Sequence, residues 1–211
     1  MRRNAMLTVH HLNNSRSQRI LWLLEELGLD YELKTYQRDA ETNLAPPELL
    51  QVHPLGKSPI IEDHGRLIVE SGAIVEYLCT RYGPQMIPAT DSDAWISHQE
   101  LMHFAEGSAM VPILLALYVG RLGAAGAPLG PRIEQQLDTH FNYMEAVLRP
   151  SGHFVLDDLS AVDIMMSFPA EMAVRQGRGE AHPKLADFVA RIHARPGFVR
   201  ALERGGAYAF A

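Results

Sequence analysis

Two stretches of this chain carry residue types in an order that can hold a small charged ligand. The first is Leu55-Gly56-Lys57-Ser58-Pro59-Ile60-Ile61-Glu62-Asp63, and the second is Leu67-Ile68-Val69-Glu70-Ser71. They read as a strand opening at a proline, a tight turn, a second strand and a helix that begins on Glu-Ser. Proline suits a strand's first residue, where no ladder donor is needed. Ser58-Pro59 is a candidate cis bond, a minority form for X-Pro that usually marks a purposeful turn. Such a turn exposes the backbone N–H and C=O of Ser58. Glu70 then offers a carboxylate beside a helix N-terminus, which itself favours an anion. Together the two halves suit an extended peptide with a free amino-acid end.

The elements around this pair are legible from periodicity. Residues 6–12 read as a first strand, and Asn13-Asn14-Ser15 as a polar turn and helix start. From Ser17 to Leu27, Ile20, Leu23, Leu24 and Leu27 recur at helical spacing, with Glu25 and Glu26 outside and Gly28 as the stop. Residues 31–36 alternate as a second strand, so strand–helix–strand implies a parallel unit. Pro46-Pro47-Glu48-Leu49-Leu50 starts a short helix. Strands at 59–62 and 66–69 flank the turn Asp63-His64-Gly65, and a helix runs from Ser71 to Tyr82.

After Gly83 no convincing strand is found. Helical patterns cover 91–122, interrupted by Pro112, then 131–148, a stretch opened by Ser160-Ala161-Val162-Asp163, then 183–194 and 196–202. Pro112 is expected to kink or break its helix. Residues 123–131 read as a Gly/Ala/Pro turn region. Ser160 with Asp163 has the spacing of a capping box. The expected fold is therefore α/β plus all-α: a thioredoxin-like N-terminal domain of order βαβαββα over residues 1–83, a linker at 84–90, and an all-helical C-terminal domain over 91–211.

Composition narrows the function classes. The chain has 211 residues, 47% hydrophobic and 21% charged, with a formal net charge of -6. That sign argues against nucleic acid as a partner. No apolar run follows the basic start, as a leader would need. Read residue by residue, no stretch reaches the roughly 20 apolar residues of a membrane span. Cys79 is the one cysteine, which excludes an internal disulfide framework and fits a reducing, cytoplasmic setting. No HExxH and no Cys/His cluster occurs, so no metal is expected.

The SPII…ES element, the two-domain order and the Leu159-Ser160-Ala161-Val162-Asp163-Ile164 helix start resemble cytosolic glutathione S-transferases across essentially the whole chain. The run Leu12-Asn13-Asn14-Ser15-Arg16-Ser17-Gln18-Arg19 is similar to bacterial and fungal serine-type members. The resemblance implies a dimeric enzyme of the detoxification type, with glutathione as co-substrate. The first domain would bind glutathione, and the helical one would supply most of the pocket for a hydrophobic electrophile. It also implies that Ser15 donates a hydrogen bond to the glutathione thiolate. A free thiol titrates at about 8.5, so only a small fraction is ionised at neutral pH. A hydroxyl donor and a helix N-terminus both favour the anion. Ser17 is the rival, or a plain N-cap; Asn13, Asn14 and Arg16 are the other neighbours that could serve.

By the same resemblance Lys57, Ser58, Pro59, Glu70 and Ser71 contact glutathione, Ser58 through its backbone. Ordinary roles compete with each: a solvated cation at Lys57, a strand start at Ser58, a dipole-matching acid at Glu70, an N-cap at Ser71. Arg38 and His53 are lesser candidates. Trp22 reads as packing, Asp163 as a structural cap, Met165-Met166 as core. Phe104, Met110, Leu114 and Tyr118 suit either an electrophile pocket or helix burial. Cys79 lies in a helix and reads as a small buried hydrophobe. With no cysteine near position 15, glutathione itself is the expected nucleophile. Dehalogenation, isomerisation and peroxide reduction would use the same thiol. A non-catalytic binding protein for hydrophobic ligands is the alternative from another class.

Overall fold

A computed structural model describes residues 7–210. Met6, counted in the first strand by its pattern, lies outside them. The elements in chain order are β1 (Leu7–Leu12), α1 (Ser17–Glu26), β2 (Tyr31–Tyr36), α2 (Glu48–Val52), β3 (Ile60–Asp63), β4 (Arg66–Val69) and α3 (Ser71–Tyr82). There follow α4 (Asp93–Phe104), α5 (Met110–Gly120), α6 (Gly130–Val147), α7 (Ala161–Arg175), α8 (Pro183–His193) and α9 (Pro196–Gly205). Two compact units result. One runs to Pro84 and takes in the chain from His193 onward; the other is Gln85–Ile192.

The first unit has the expected βαβαββα order around a sheet ordered β2-β1-β3-β4. β1 is parallel to β2 and antiparallel to β3, and β4 is antiparallel to β3. Every residue of β1 is buried, as the central position requires. Leu12, Leu49 and Ile60 form a cluster with Tyr36, Ala45, Val52 and Val69 against it. The β3–β4 loop is the two-residue turn His64-Gly65, with φ of 50° and 76°. Both values are positive, as a type I′ hairpin demands. Asp63 therefore closes β3 rather than joining the turn.

The last helix was expected with the helical domain, yet α9 packs on α1. Trp22 meets Phe198 edge-on at 5.6 Å, and both are fully buried. Glu25 and Glu26, read as outward-facing, are engaged here. Glu26 accepts from Trp22 Nε1 at 2.8 Å and from both Nε and a terminal nitrogen of Arg195 at 2.8 and 2.9 Å. Glu25 accepts from Tyr31 Oη, Arg200 and Arg204. Partly exposed ion pairs contribute about 0–1 kcal/mol each. Burying an aromatic such as Phe198 contributes roughly 1.5–3 kcal/mol. Packing thus holds α9 in place, and the arginines set its register.

In the second unit Pro112 does not end its helix, which runs on from Asp93 to Gly120. A π-helical segment, Ala105–Ala109, joins α4 to α5. Pro112 has no N–H to give to the carbonyl four residues back, and the widened turn just before it accommodates the gap. The continuous run Asp93–Gly120 has a mean hydropathy of 1.4 over an 18-residue window. By length and composition it could cross a membrane, which the residue-by-residue reading did not anticipate. α4 and α5 pack against α6 and α7. The Gly/Ala/Pro stretch forms a 3-10 helix, Gly123–Leu129, instead of an open turn. The capping box at α7 is present as its spacing implies. Asp163, fully buried, accepts from Ser160 N at 2.7 Å, Ser160 Oγ at 2.7 Å and Phe154 N at 2.9 Å. Those three bonds account for a buried carboxylate without any catalytic role.

Candidate functional site

The candidate site gathers at the C-terminal end of β1. Asn13 N–H bonds Tyr36 O at 3.2 Å, keeping the chain beside β2 for one more residue. Asn14 then turns it with φ of 49°. Asparagine is among the few side chains that take this left-handed conformation readily. Arg38 fixes the turn from outside, donating to Asn13 O at 3.1 Å, Asn14 O at 3.3 Å and Asn43 O at 3.0 Å. Its own N–H goes to Asn13 Oδ1 at 2.8 Å. Asn14 Oδ1 accepts from Ala209 N at 2.8 Å. The Asn13 and Asn14 side-chain oxygens are thus committed to backbone N–H groups, and Arg38 positions the loop.

Ser15 follows, buried at 6% exposure just before α1. Its Oγ accepts from Ser17 N at 3.2 Å and lies 2.8 Å from Ser17 Oγ. Its carbonyl accepts from Gln18 N at 3.1 Å. Ser15 therefore makes the cap-like bond at the helix start. Ser17, the suggested N-cap, is instead the first helical residue and has no exposed surface. The Ser17 hydroxyl points inward, 2.8 Å from His11 Nδ1 and 3.2 Å from Leu12 O. Of the two residues, Ser15 alone keeps any exposed surface.

Ser58–Pro59 is cis. The Ser58 side chain is not idle: its Oγ donates to His10 O at 2.8 Å and accepts from Leu12 N at 3.2 Å. Leu12 N also reaches Ser17 Oγ at 3.3 Å. One backbone N–H thus ties the Ser58 turn to the Ser17–Ser15 pair. Ile60 pairs with His10 on one side and Val69 on the other, so Glu70 comes next to Pro59 in register. Glu70 is exposed and adopts φ 69°, ψ 125°. A non-glycine residue there costs on the order of 1–3 kcal/mol, a strain that gathers at ligand clamps. Ser71 is buried as the first residue of α3. Lys57 is exposed, two residues before Pro59. Ser15, Ser58, Pro59, Glu70 and Ser71 converge on one end of the sheet. His53 Nδ1 accepts from Leu55 N at 3.3 Å and belongs to the turn leading there.

Residues 5–80 match the glutathione S-transferase N-terminal domain, and residues 130–204 match the glutathione S-transferase C-terminal domain. This chain belongs to the glutathione S-transferase family. Glutathione S-transferase 3 of Schizosaccharomyces pombe is 36% identical over 185 residues, covering 81% of this chain and 75% of its own. Glutathione S-transferase 1 of Saccharomyces cerevisiae is 29% identical over 96% of both chains. A crystal structure of a glutathione S-transferase from Actinobacillus pleuropneumoniae superposes with a TM-score of 0.88 at 30% identity, covering 97% of this chain and 95% of that one.

Other candidates in this family member have structural work. Phe104 stacks on His140 at 5.8 Å and leans on Tyr143 at 4.9 Å. Met110 is in the core, Leu114 is half-buried, and Tyr118 is exposed beneath Arg121. Among the described residues no group of three His, Cys, Asp or Glu could hold a metal ion. Cys79 is fully buried in α3, and burial pushes its thiol up to about 12. A thiol so placed stays protonated and unreactive at neutral pH. Native protein is therefore expected to leave Cys79 unlabelled by a thiol-reactive dye, with one equivalent taken up after denaturation. Stoichiometric labelling of the native state would contradict this burial.

Proposed function

We propose that this chain transfers glutathione to hydrophobic electrophiles, with Ser15 as the hydroxyl that stabilises the glutathione thiolate. The observation that carries the reading is the placement of Ser15 Oγ. It is fixed by the Ser17 N–H at the start of α1 and lies within one hydrogen-bond chain of Ser58. A donor there would meet a thiolate under the positive end of a helix dipole. Glu70 would pair with the α-ammonium of the γ-glutamyl end, and the start of α3 at Ser71 would receive its carboxylate. Ser58 and Pro59 would align the cysteinyl backbone as an added strand does. Lys57 would meet the glycyl carboxylate.

The chemistry is nucleophilic addition or displacement. The thiol proton leaves to water, the sulfur forms a bond to the electrophilic carbon, and the displaced group departs with the bonding pair. A generic aromatic halide with glutathione should therefore give a thioether and halide ion. No turnover above the uncatalysed rate, with glutathione bound, would favour a binding role instead. Dehalogenation, isomerisation and peroxide reduction are distinguished by changing the second substrate in the same assay.

A homodimer in the cytoplasm completes this reading. The dimer is supported by the exposed apolar side chains of Val111, Leu115, Tyr118 and Leu122, which share one side of α5 and its continuation. A two-fold pairing would cover such a face. Light scattering should give twice the 23.5 kDa chain mass at micromolar concentration, and the single chain mass would contradict it.

A further inference from the structure

His11 stands behind the Ser15 hydroxyl in a chain of buried polar contacts. Ser15 Oγ is 2.8 Å from Ser17 Oγ, which is 2.8 Å from His11 Nδ1. The other ring nitrogen faces the C-terminal end of α9, where a hydrogen bond with the Gly205 backbone raises the ring's affinity for protons. That is the effect of a carbonyl accepting from Nε2–H. The Gly205 carbonyl is in the last turn of its helix, where no intrahelical donor reaches it. A side chain at this glycine would strike Gln18 and Leu21 and crowd the His11 ring.

These contacts fix the direction of each proton. With Nε2 protonated, a neutral ring has a lone pair at Nδ1. Ser17 then donates to Nδ1, the nearer of its two acceptors at 2.8 Å against 3.2 Å for Leu12 O, and neither direction leaves its proton for Ser15. The short Ser15–Ser17 contact leaves Ser15 as donor, so the Ser15 proton points inward. We propose that His11, acting through Ser17, sets the direction of the Ser15 hydroxyl and is a positioning residue for ionisation of the bound thiol. The proposal rests on the reading of Ser15 as the thiol-facing hydroxyl.

When the thiol ionises, its proton leaves to water and the Ser15 O–H turns outward to the sulfur. Ser17 turns its own proton from His11 to Ser15 Oγ, and His11 Nδ1 loses its donor. A buried acceptor without a partner opposes that reversal. His11 does not relieve the loss by taking the thiol's proton. Burial holds the ring down to about 4, far below a thiol near 8.5. Ser17 at Nδ1, and Gln18 and Leu21 of α1 beside the Gly205 carbon, carry no charge, and burial and the Gly205 backbone are the influences on the ring.

The test is the pH titration of thiolate absorbance in the glutathione complex of the full chain. Ser17→Ala and His11→Phe should each lower the bound thiol's midpoint by about one pH unit, because reversal no longer strands Nδ1. The Ser17 N–H still holds Ser15 Oγ in Ser17→Ala, and glutathione affinity should stay within about two-fold. A role in packing alone would leave the midpoint where it is. Should His11→Phe fail to fold, Ser17→Ala carries the same test with the loss of one oxygen. An unchanged or raised midpoint in these variants overturns the inference, provided Ser15→Ala raises it. If Ser15→Ala leaves the midpoint unchanged, the reading of Ser15 fails, and this inference with it.

Discussion

Glu70→Ala is expected to weaken glutathione binding roughly 30- to 150-fold, equivalent to about 2–3 kcal/mol for a lost hydrogen bond between charged groups. Glu70 stands where β4 gives way to α3, with φ of 69° that no helix or strand imposes. Its carbonyl starts the α3 ladder by accepting from Ile74 N at 2.9 Å, while its carboxylate remains exposed. The backbone is thus held in a costly conformation for a side chain with no structural task of its own. Alanine at this position retains the positive φ, so stability should change little. The KM for the electrophile should also change little, since in the proposed arrangement that ligand would not meet Glu70. Isothermal titration of glutathione into Glu70→Ala is the check. Unchanged affinity would remove Glu70 from the site.

Ser15→Ala is expected to lower kcat/KM about 10- to 1000-fold, the range for removing one donor to a developing or resting anion. Glutathione affinity should fall much less, because the proposed anchoring contacts would lie on Ser58, Glu70 and Ser71. The Ser15→Ala variant loses the cap-like bond from Ser17 N, so about 1 kcal/mol of stability should go as well. Comparing kcat/KM with affinity separates the two effects. A fall in affinity as large as that in kcat/KM would make Ser15 an anchor and not an activator. Full activity in Ser15→Ala alongside loss in Ser17→Ala would transfer the role to the neighbour.

Local patterns were readable where one short stretch held the whole signal. The β3–β4 hairpin, the Ser58–Pro59 turn and the Ser160/Asp163 capping box each declare themselves within about ten residues. What escaped depends on partners far along the chain or on backbone angles. Glu25 and Glu26 look solvated until Arg195, Arg200 and Arg204 arrive from about 170 residues away. The same remote helix brings the Gly205 backbone to His11, which makes an apparently ordinary strand histidine part of the Ser15 environment. Positive φ at Glu70 has no signature, because the residue type that usually reports it is glycine. Ser58 reads as a backbone contact only, yet its hydroxyl bridges His10 and Leu12. Its side chain carries the β1–β3 contact one residue beyond the last paired position. Pro112 misleads because the helix can widen to a π turn as well as break.

Ionisation of the bound thiol is the most direct measure of whether this chain activates glutathione. The wild-type protein is titrated with pH in the presence of saturating glutathione, and thiolate absorbance is followed. The expected midpoint is roughly two units below the free-thiol value of about 8.5, equivalent to about 3 kcal/mol of thiolate stabilisation. A midpoint near 8.5 with glutathione demonstrably bound would contradict it.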